Sequence, residues 1–156
     1  MNIDKDRILG KLSELDTYLA ELGEIIPHDF DEYKHSIAIK RACERLLQIL
    51  IECVIDICNI LVSNLKLGIP ADEDDIFKKL VNANVIYSEL AAVLKNMKGF
   101  RNILIHKYGT INDELVFEFL KDNLEDFSTF KEAIIDYLKT VSYTHLRAHE
   151  TRHDLV

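Results

Sequence analysis

The segment from residue 46 to residue 62 constrains the fold more than any other part of the chain, because it is apolar on all but one face. Polar residues recur there every three or four positions, which is the period of an α-helix. They form a single stripe that consists of Arg41, Arg45, Gln48, Glu52, Asp56, Asn59 and Ser63. Most surface helices are apolar along only one stripe. This helix must therefore be covered on most sides, and we predict a helical bundle around it and a homodimer that completes the cover.

The rest of the chain has the same helical period and few turn-forming residues, with 5 Gly and 2 Pro among 156 residues. Apolar residues at steps of three and four predict a first helix over Lys5–Leu22, with Asp4 as its N-cap. Asp29 precedes Glu32 by three residues, which is the spacing of a capping box. The central helix is therefore predicted to begin there and to continue to about Lys66.

Three further helices follow from the same signals, and no segment alternates between apolar and polar residues as a strand does. The pattern predicts an all-α antiparallel bundle of about five helices. The remaining helices are expected from the acidic cluster Asp72–Asp75 to Asn82–Asn84, from Ser88 to Ile105, and from the cap Asn112 to about Val141, with a candidate kink near residues 126–128.

The last fifteen residues, 142–156, break the helical period and resemble read-through sequence encoded by a cloning vector. We therefore predict one domain over residues 1–141, followed by a non-native tail that is excluded from functional reasoning. Every long apolar run is interrupted by polar residues, and the N-terminus carries acids without an apolar signal region. The expected location is the cytoplasm, without membrane contact.

The three cysteines, Cys43, Cys53 and Cys58, are odd in number and lack C-x-x-C spacing. This pattern fits neither a disulfide framework nor a zinc site, so we predict small buried residues in a reducing compartment. Glu32 and His35 form a Glu-x-x-His pair, but a di-iron bundle needs two such pairs and two more carboxylates. The only second match, Glu150 with His153, lies in the excluded tail. No cofactor and no physiological metal are expected.

The formal net charge of −8 argues against a protein that coats nucleic acid. Nevertheless, the segment Leu90–Asn112 contains no acidic residue, and it is the one place where the sequence would attract a polyanion. Its cationic and titratable side chains are Lys95, Lys98, Arg101, His106 and Lys107. We predict an RNA-binding patch at Lys95, Lys98 and Lys107.

Arg101 and His106 suit metal-free RNA cleavage. A histidine can take the proton of the attacking 2′-hydroxyl, and an arginine fork stabilises the charge that builds on the phosphorane. Five residues apart on a regular helix, the two lie about 140° apart, whereas Asn102 shares a face with His106. A joint role requires the helix to unwind after Ile105 or a second subunit to bring its own motif. A second subunit would also supply the second histidine of an acid–base pair.

The motif R-x4-H-x-Y, present as Arg101, His106 and Tyr108 with Asn102 after the arginine, resembles the signature of HEPN-domain toxins of the HepT family. The segments ERLLQILIECVIDICNIL and INDELVFEFL resemble the family's helices, and the likeness covers about residues 1–140. It implies a HEPN-type helical bundle and a dimeric endoribonuclease whose two motifs meet at a cleft. It also implies an MNT-type nucleotidyltransferase antitoxin that attaches AMP to Tyr108.

Other interpretations of the same residues stay open at this point. Arg101 and His106 could be a structural pair at a helix C-terminus, where cations are favoured by the helix dipole, and Tyr108 could be a packing aromatic. Glu52 or Asp56, on the polar stripe of the central helix, could orient Arg101 or His106. The alternative function is a non-catalytic HEPN module that binds a nucleotidyltransferase or a nucleotide, and the plainest is a purely structural helical bundle.

Overall fold

The computed structural model describes residues 2–106 and 110–154, with side chains as far as residue 142. Within these residues the chain is all-α, as the sequence predicts, and has seven helices and no strand. The helices are α1 (Lys5–Ile25), α2 (Phe30–His35), α3 (Ile37–Asn64), α4 (Glu73–Asn82), α5 (Ser88–His106), α6 (Asp113–Asp122) and α7 (Glu125–Asp154).

The predicted N-caps are confirmed. The Asp4 side chain accepts a hydrogen bond from the Arg7 amide at 3.3 Å, and Asp29 accepts one from the Glu32 amide at 2.9 Å. Asn112 caps α6 in the same way. Each cap satisfies one of the amides that the first turn of a helix leaves without a partner, so these short polar residues fix where the helices begin.

The prediction of one helix from Asp29 to Lys66 is wrong, because the helix is interrupted at Ser36. This residue has an extended backbone, and its hydroxyl accepts a hydrogen bond from the Ile39 amide at 3.2 Å, so it caps a new helix. The break lets the short helix α2 turn away from α3 and contact α6. There, Phe30 and the buried Tyr33 pack against Phe117, with ring centroids 5.7 and 5.5 Å apart.

The predicted helix from Asn112 to Val141 is also two helices, which separate at Asn123–Leu124 rather than bending at residues 126–128. Asn123 closes α6, and its side-chain amide donates to Asp126 at 3.4 Å in the first turn of α7. Fully buried Phe127 and Phe130 then hold α7 against the core. Helix α7 continues beyond Val141 as far as Asp154, through the segment that the sequence marks as a tail.

Helix α3 lies at the centre of the bundle and contacts α1, α2, α4 and α5. Thirteen of its residues are buried within this one chain, and the polar stripe is the part that faces solvent. The expectation that a second subunit is needed to cover this helix is therefore wrong. The apolar faces of the neighbouring helices cover it instead.

By length and hydropathy alone, α3 could cross a membrane, because an 18-residue window has a mean hydropathy of 2.0. The polar residues that interrupt this segment therefore do not lower its mean hydropathy below that of a possible membrane span. However, 61% of this window is buried inside the chain. Burial to this extent is the environment of a core helix in a bundle, and it accounts for the apolar composition.

Candidate active site

Helix α5 carries the motif and is fixed along its length by core contacts. Its buried residues recur every three or four positions and face the bundle: Leu90, Leu94, Met97 and Phe100. Phe100 stacks on Phe119 of α6, with ring centroids 4.3 Å apart and planes 13° apart. This stack holds the C-terminal part of α5, where the motif begins, against the helix that follows the motif.

Arg101 points towards α4 and is largely enclosed, with 12% of its side chain exposed. Its Nη2 donates to the Oε1 of Glu73, the first residue of α4. Its Nε donates to the Oδ1 of Asn102 at 3.1 Å. The guanidinium is thus held by two acceptors on two sides, so its plane is set by the fold.

The acidic partner of Arg101 is therefore Glu73, and the alternative in which Glu52 or Asp56 orients Arg101 is wrong. Glu52 accepts a hydrogen bond from Gln48 at 3.1 Å, and Asp56 pairs with Lys11 of α1 at 3.6 Å. Sequence reasoning missed Glu73 because its only signal is membership of the acidic cluster that begins α4. Nothing in the spacing says which basic residues this cluster meets.

The acidic cluster at the start of α4 neutralises part of the segment Leu90–Asn112, which itself contains no acidic residue. Lys98 pairs with Asp74 at 2.7 Å, and the pKa of this carboxyl is lowered, chiefly by its hydrogen bond to Lys98. Lys95, which is exposed, contributes to the same shift through its charge. The segment that lacks acids in sequence thus lies beside acids in space, and the basic surface is narrower than the sequence indicates.

These ion pairs do not hold α4 in place. Partly exposed ion pairs contribute little to stability, because solvent screens the attraction between their charges. Burial of one large apolar side chain contributes about 1.5–3 kcal/mol, and α4 buries Ile76, Phe77 and Leu80. The apolar face therefore docks α4, while the ion pairs determine how individual charged groups are oriented.

His106 is the last residue of α5 and is exposed. Because the helix is continuous through His106, the unwinding after Ile105 that would bring this side chain towards Arg101 is not found. At 3.6 residues per turn, the two side chains leave the axis about 140° apart. Asn102 lies on the same face of α5 as His106, and its side-chain oxygen accepts a hydrogen bond from Arg101. Asn102 therefore connects the side of α5 that carries His106 with the side that carries Arg101. Two of the predicted site residues, Lys107 and Tyr108, lie outside the described residues.

The chain is anchored again immediately after the motif. Lys40 of α3 pairs with Asp113, the first residue of α6, at 3.2 Å, and both side chains are mostly enclosed. Together with the Arg101–Glu73 contact, this pair fixes the two ends of the segment that carries His106. Arg101 is therefore enclosed where α5 meets α4, whereas His106 is exposed at the end of α5.

The other reactive or metal-binding candidates do not gather at this site. The three cysteines are buried, as predicted, and burial raises the pKa of both Cys43 and Cys53 to about 11, which disfavours the nucleophilic thiolate. His35 Nδ1 is hydrogen-bonded to the carbonyl of Asp31 at 2.7 Å within α2. Among the described residues, no group of three or more His, Cys, Asp or Glu side chains is placed to hold a metal ion.

A concavity of about 640 Å³ lies at the opposite end of α5, between the turn at residues 84–87 and α7. Its floor includes Val85, Ile86 and Leu90, and its rim includes Glu132 and Asp136. None of the predicted site residues lines it, so it is separate from the motif.

The sequence and the fold of this chain are similar to those of known proteins. The family described as "Ribonuclease HepT-like" matches residues 15–134. The mRNA nuclease HepT of Shewanella oneidensis is 30% identical over 129 residues, which is 83% of this chain and 96% of that protein. The tRNA nuclease HepT of Aphanizomenon flos-aquae is 29% identical over 140 residues, which is 90% of this chain and 95% of that protein. A solved structure of a tri-AMPylated Shewanella oneidensis HEPN toxin in complex with an MNT antitoxin has a TM-score of 0.77 and 30% identity, and covers 87% of this chain and 99% of that one.

Proposed function

This chain belongs to the HepT-like ribonuclease family and is an endoribonuclease of the toxin–antitoxin type, and we propose that Arg101 and His106 carry out its reaction. The observation that supports these roles is the contrast between the two side chains. Arg101 is enclosed and held by two acceptors, as suits a group that stabilises charge, whereas His106 is exposed, as suits a group that exchanges protons.

The proposed reaction is metal-independent. His106 takes the proton of the 2′-hydroxyl while that oxygen attacks the adjacent phosphorus. The Arg101 fork stabilises the negative charge on the phosphorane oxygens. The 5′-oxygen then leaves with a proton from a general acid, which gives a 2′,3′-cyclic phosphate and a 5′-hydroxyl. Exposed Lys95, with Lys98 and Lys107, is proposed to hold the flanking RNA phosphates, and Asn102 supports the motif.

We propose that the active site is completed in a homodimer. Helix α3 is covered by its own chain and gives no reason for a dimer. The support for a dimer comes from α5, which stays helical through His106, so that Arg101 and His106 of one chain point to different sides. A second copy that brings its own motif against the first supplies the missing partner and a second histidine as general acid.

Mixed dimers test this arrangement. If both histidines of a dimer are needed, an equal mixture of wild-type and His106→Ala chains that has exchanged subunits should keep about a quarter of the full activity, because only that share of dimers is wild type. Independent sites would keep about half. The measurement is the initial rate of RNA cleavage after exchange, and sedimentation must show dimers. A stable monomer at micromolar concentration that retains full activity would contradict the shared site.

The partner is proposed to be an MNT-type nucleotidyltransferase antitoxin that attaches AMP to Tyr108, and the site of action is the cytoplasm. Support comes from the similar Shewanella toxin, whose solved structure is AMPylated and bound to an MNT antitoxin. We further propose that residues 1–141 form the functional domain and that residues 142–156 are non-native, since the family match ends at residue 134.

Tyr108→Phe should escape the antitoxin while it stays toxic, because it lacks the hydroxyl that would accept AMP. Intact-mass measurement after co-expression with the nucleotidyltransferase should show added AMP on wild type and none on Tyr108→Phe. The matched control is Tyr87→Phe, which removes the hydroxyl of a tyrosine that is 83% exposed in the turn before α5, at the opposite end of that helix from the motif, and it should be modified like wild type. If Tyr108→Phe is inactive without antitoxin, the hydroxyl instead holds the scissile phosphate.

A further inference from the structure

Glu73 is the described residue that meets the motif arginine from another helix. It lies 28 positions before Arg101, and its carboxylate accepts from Nη2 while 35% of its side chain remains exposed. We propose that Glu73 is a positioning residue of the ribonuclease reaction. It holds the Arg101 guanidinium in the orientation that receives the scissile phosphate. This inference rests on the role of Arg101 given under the proposed function.

The first turn of α4 is a firm support for this contact. The Asp72 side chain caps the turn by accepting from the Asp75 amide at 2.8 Å, and Asp75 in turn accepts from the Ala71 amide at 2.9 Å. A second contact between the helices, Asp74 to Lys98 at 2.7 Å, lies one residue along α4 and one turn before Arg101 on α5. The capped first turn and the apolar face that docks α4 therefore set the position of Glu73 relative to α5.

The contact between Glu73 and Arg101 suits a role in positioning Arg101 better than a role in stabilising the fold or in blocking the site. The buried apolar face of α4 already docks the helix, so the fold has little need of a partly exposed ion pair. An unrestrained arginine side chain samples many rotamers, and fixing it before the substrate arrives lowers the cost of forming the transition state. The fork has five N–H donors, so the contacts with Glu73 and Asn102 leave others for a phosphate.

The test measures kcat and KM for RNA cleavage by the full-length protein. Glu73→Ala should lower kcat by about tenfold or more, with KM within about twofold, because a misplaced catalytic group slows the chemical step. Glu73→Gln should retain most of the activity, since its amide oxygen still accepts from Nη2. Asp74→Asn is the matched control, because it weakens the adjacent ion pair without touching Arg101. Its kcat and the melting temperatures of all variants should stay close to wild type.

A double-mutant cycle decides whether Glu73 acts through Arg101. In an Arg101→Ala background, the further change Glu73→Ala should have no effect on kcat. The proposal is overturned if Glu73→Ala has wild-type kcat, if it raises kcat, or if its effect is undiminished without Arg101. These outcomes presuppose a wild-type protein that cleaves RNA and a His106→Ala protein that does not. If either condition is not met, the proposed ribonuclease function is wrong. That result is distinct from a failure of the Glu73 proposal in the double-mutant cycle.

Discussion

His106→Ala is expected to lower the rate of RNA cleavage by about 100-fold or more, because positioned acid–base groups typically contribute about 10²–10⁴-fold. The fold should be preserved. His106 is exposed at the end of α5, and alanine is a better helix former than histidine. The measurement is the initial rate on a synthetic RNA in EDTA, where the wild-type fragments should end in 2′,3′-cyclic phosphates. The same variant should no longer arrest growth when its expression is induced.

His35→Ala is the matched control for this experiment. His35 is exposed on a different helix, α2, and its described hydrogen bond is to the local carbonyl of Asp31, so its loss should leave the rate unchanged. Two results would contradict the proposed chemistry. A His106→Ala protein as toxic as wild type would favour a binding module. Activity that disappears in EDTA and returns with magnesium would remove His106 from its acid–base role.

The sequence predicts the helices of this fold well where a short polar side chain determines a helix end. Asp4 and Asn112 each cap the helix that they are predicted to cap, and Asp29 caps a helix that is shorter than predicted. Asp72 caps α4 within the acidic cluster that predicts the start of this helix. The signal is local, because a side chain bonds to an amide three residues later. The break at Ser36 is not predicted because the apolar period continues across it. The Ser36 cap and the aromatic contacts between α2 and α6 together favour a break there.

Long-range arrangements were harder to predict for a physical reason. The apolar excess of the central helix indicates that something covers it, but not whether the cover belongs to the same chain. Likewise, the acidic cluster at the start of α4 and the basic residues of α5 are each visible in sequence, whereas the pairing of Glu73 with Arg101 depends on how two helices dock. The sequence shows the motif through its spacing and its resemblance to a family, whereas it does not show the contacts that orient the motif.

Arg101→Ala is expected to slow cleavage by about 100-fold or more, since removal of one preorganised group that stabilises transition-state charge typically costs about 10²–10³ in kcat. The loss should fall on kcat rather than KM, because the charge on the phosphorane is largest in the transition state. Arg45→Ala is the matched control. It removes one positive charge from the exposed stripe of α3 and should leave the rate unchanged.

Arg101→Lys should restore only a small part of the activity. Lysine keeps the charge but replaces a planar fork with a single ammonium, which cannot donate to Glu73, Asn102 and a phosphate in the same fixed geometry. The comparison of the two variants therefore separates charge from orientation. If Arg101→Lys is as active as wild type, a point charge is sufficient, and the contacts that fix the guanidinium plane have no part in catalysis. If it is nearly as slow as Arg101→Ala, the orientation set by those contacts is what the reaction requires.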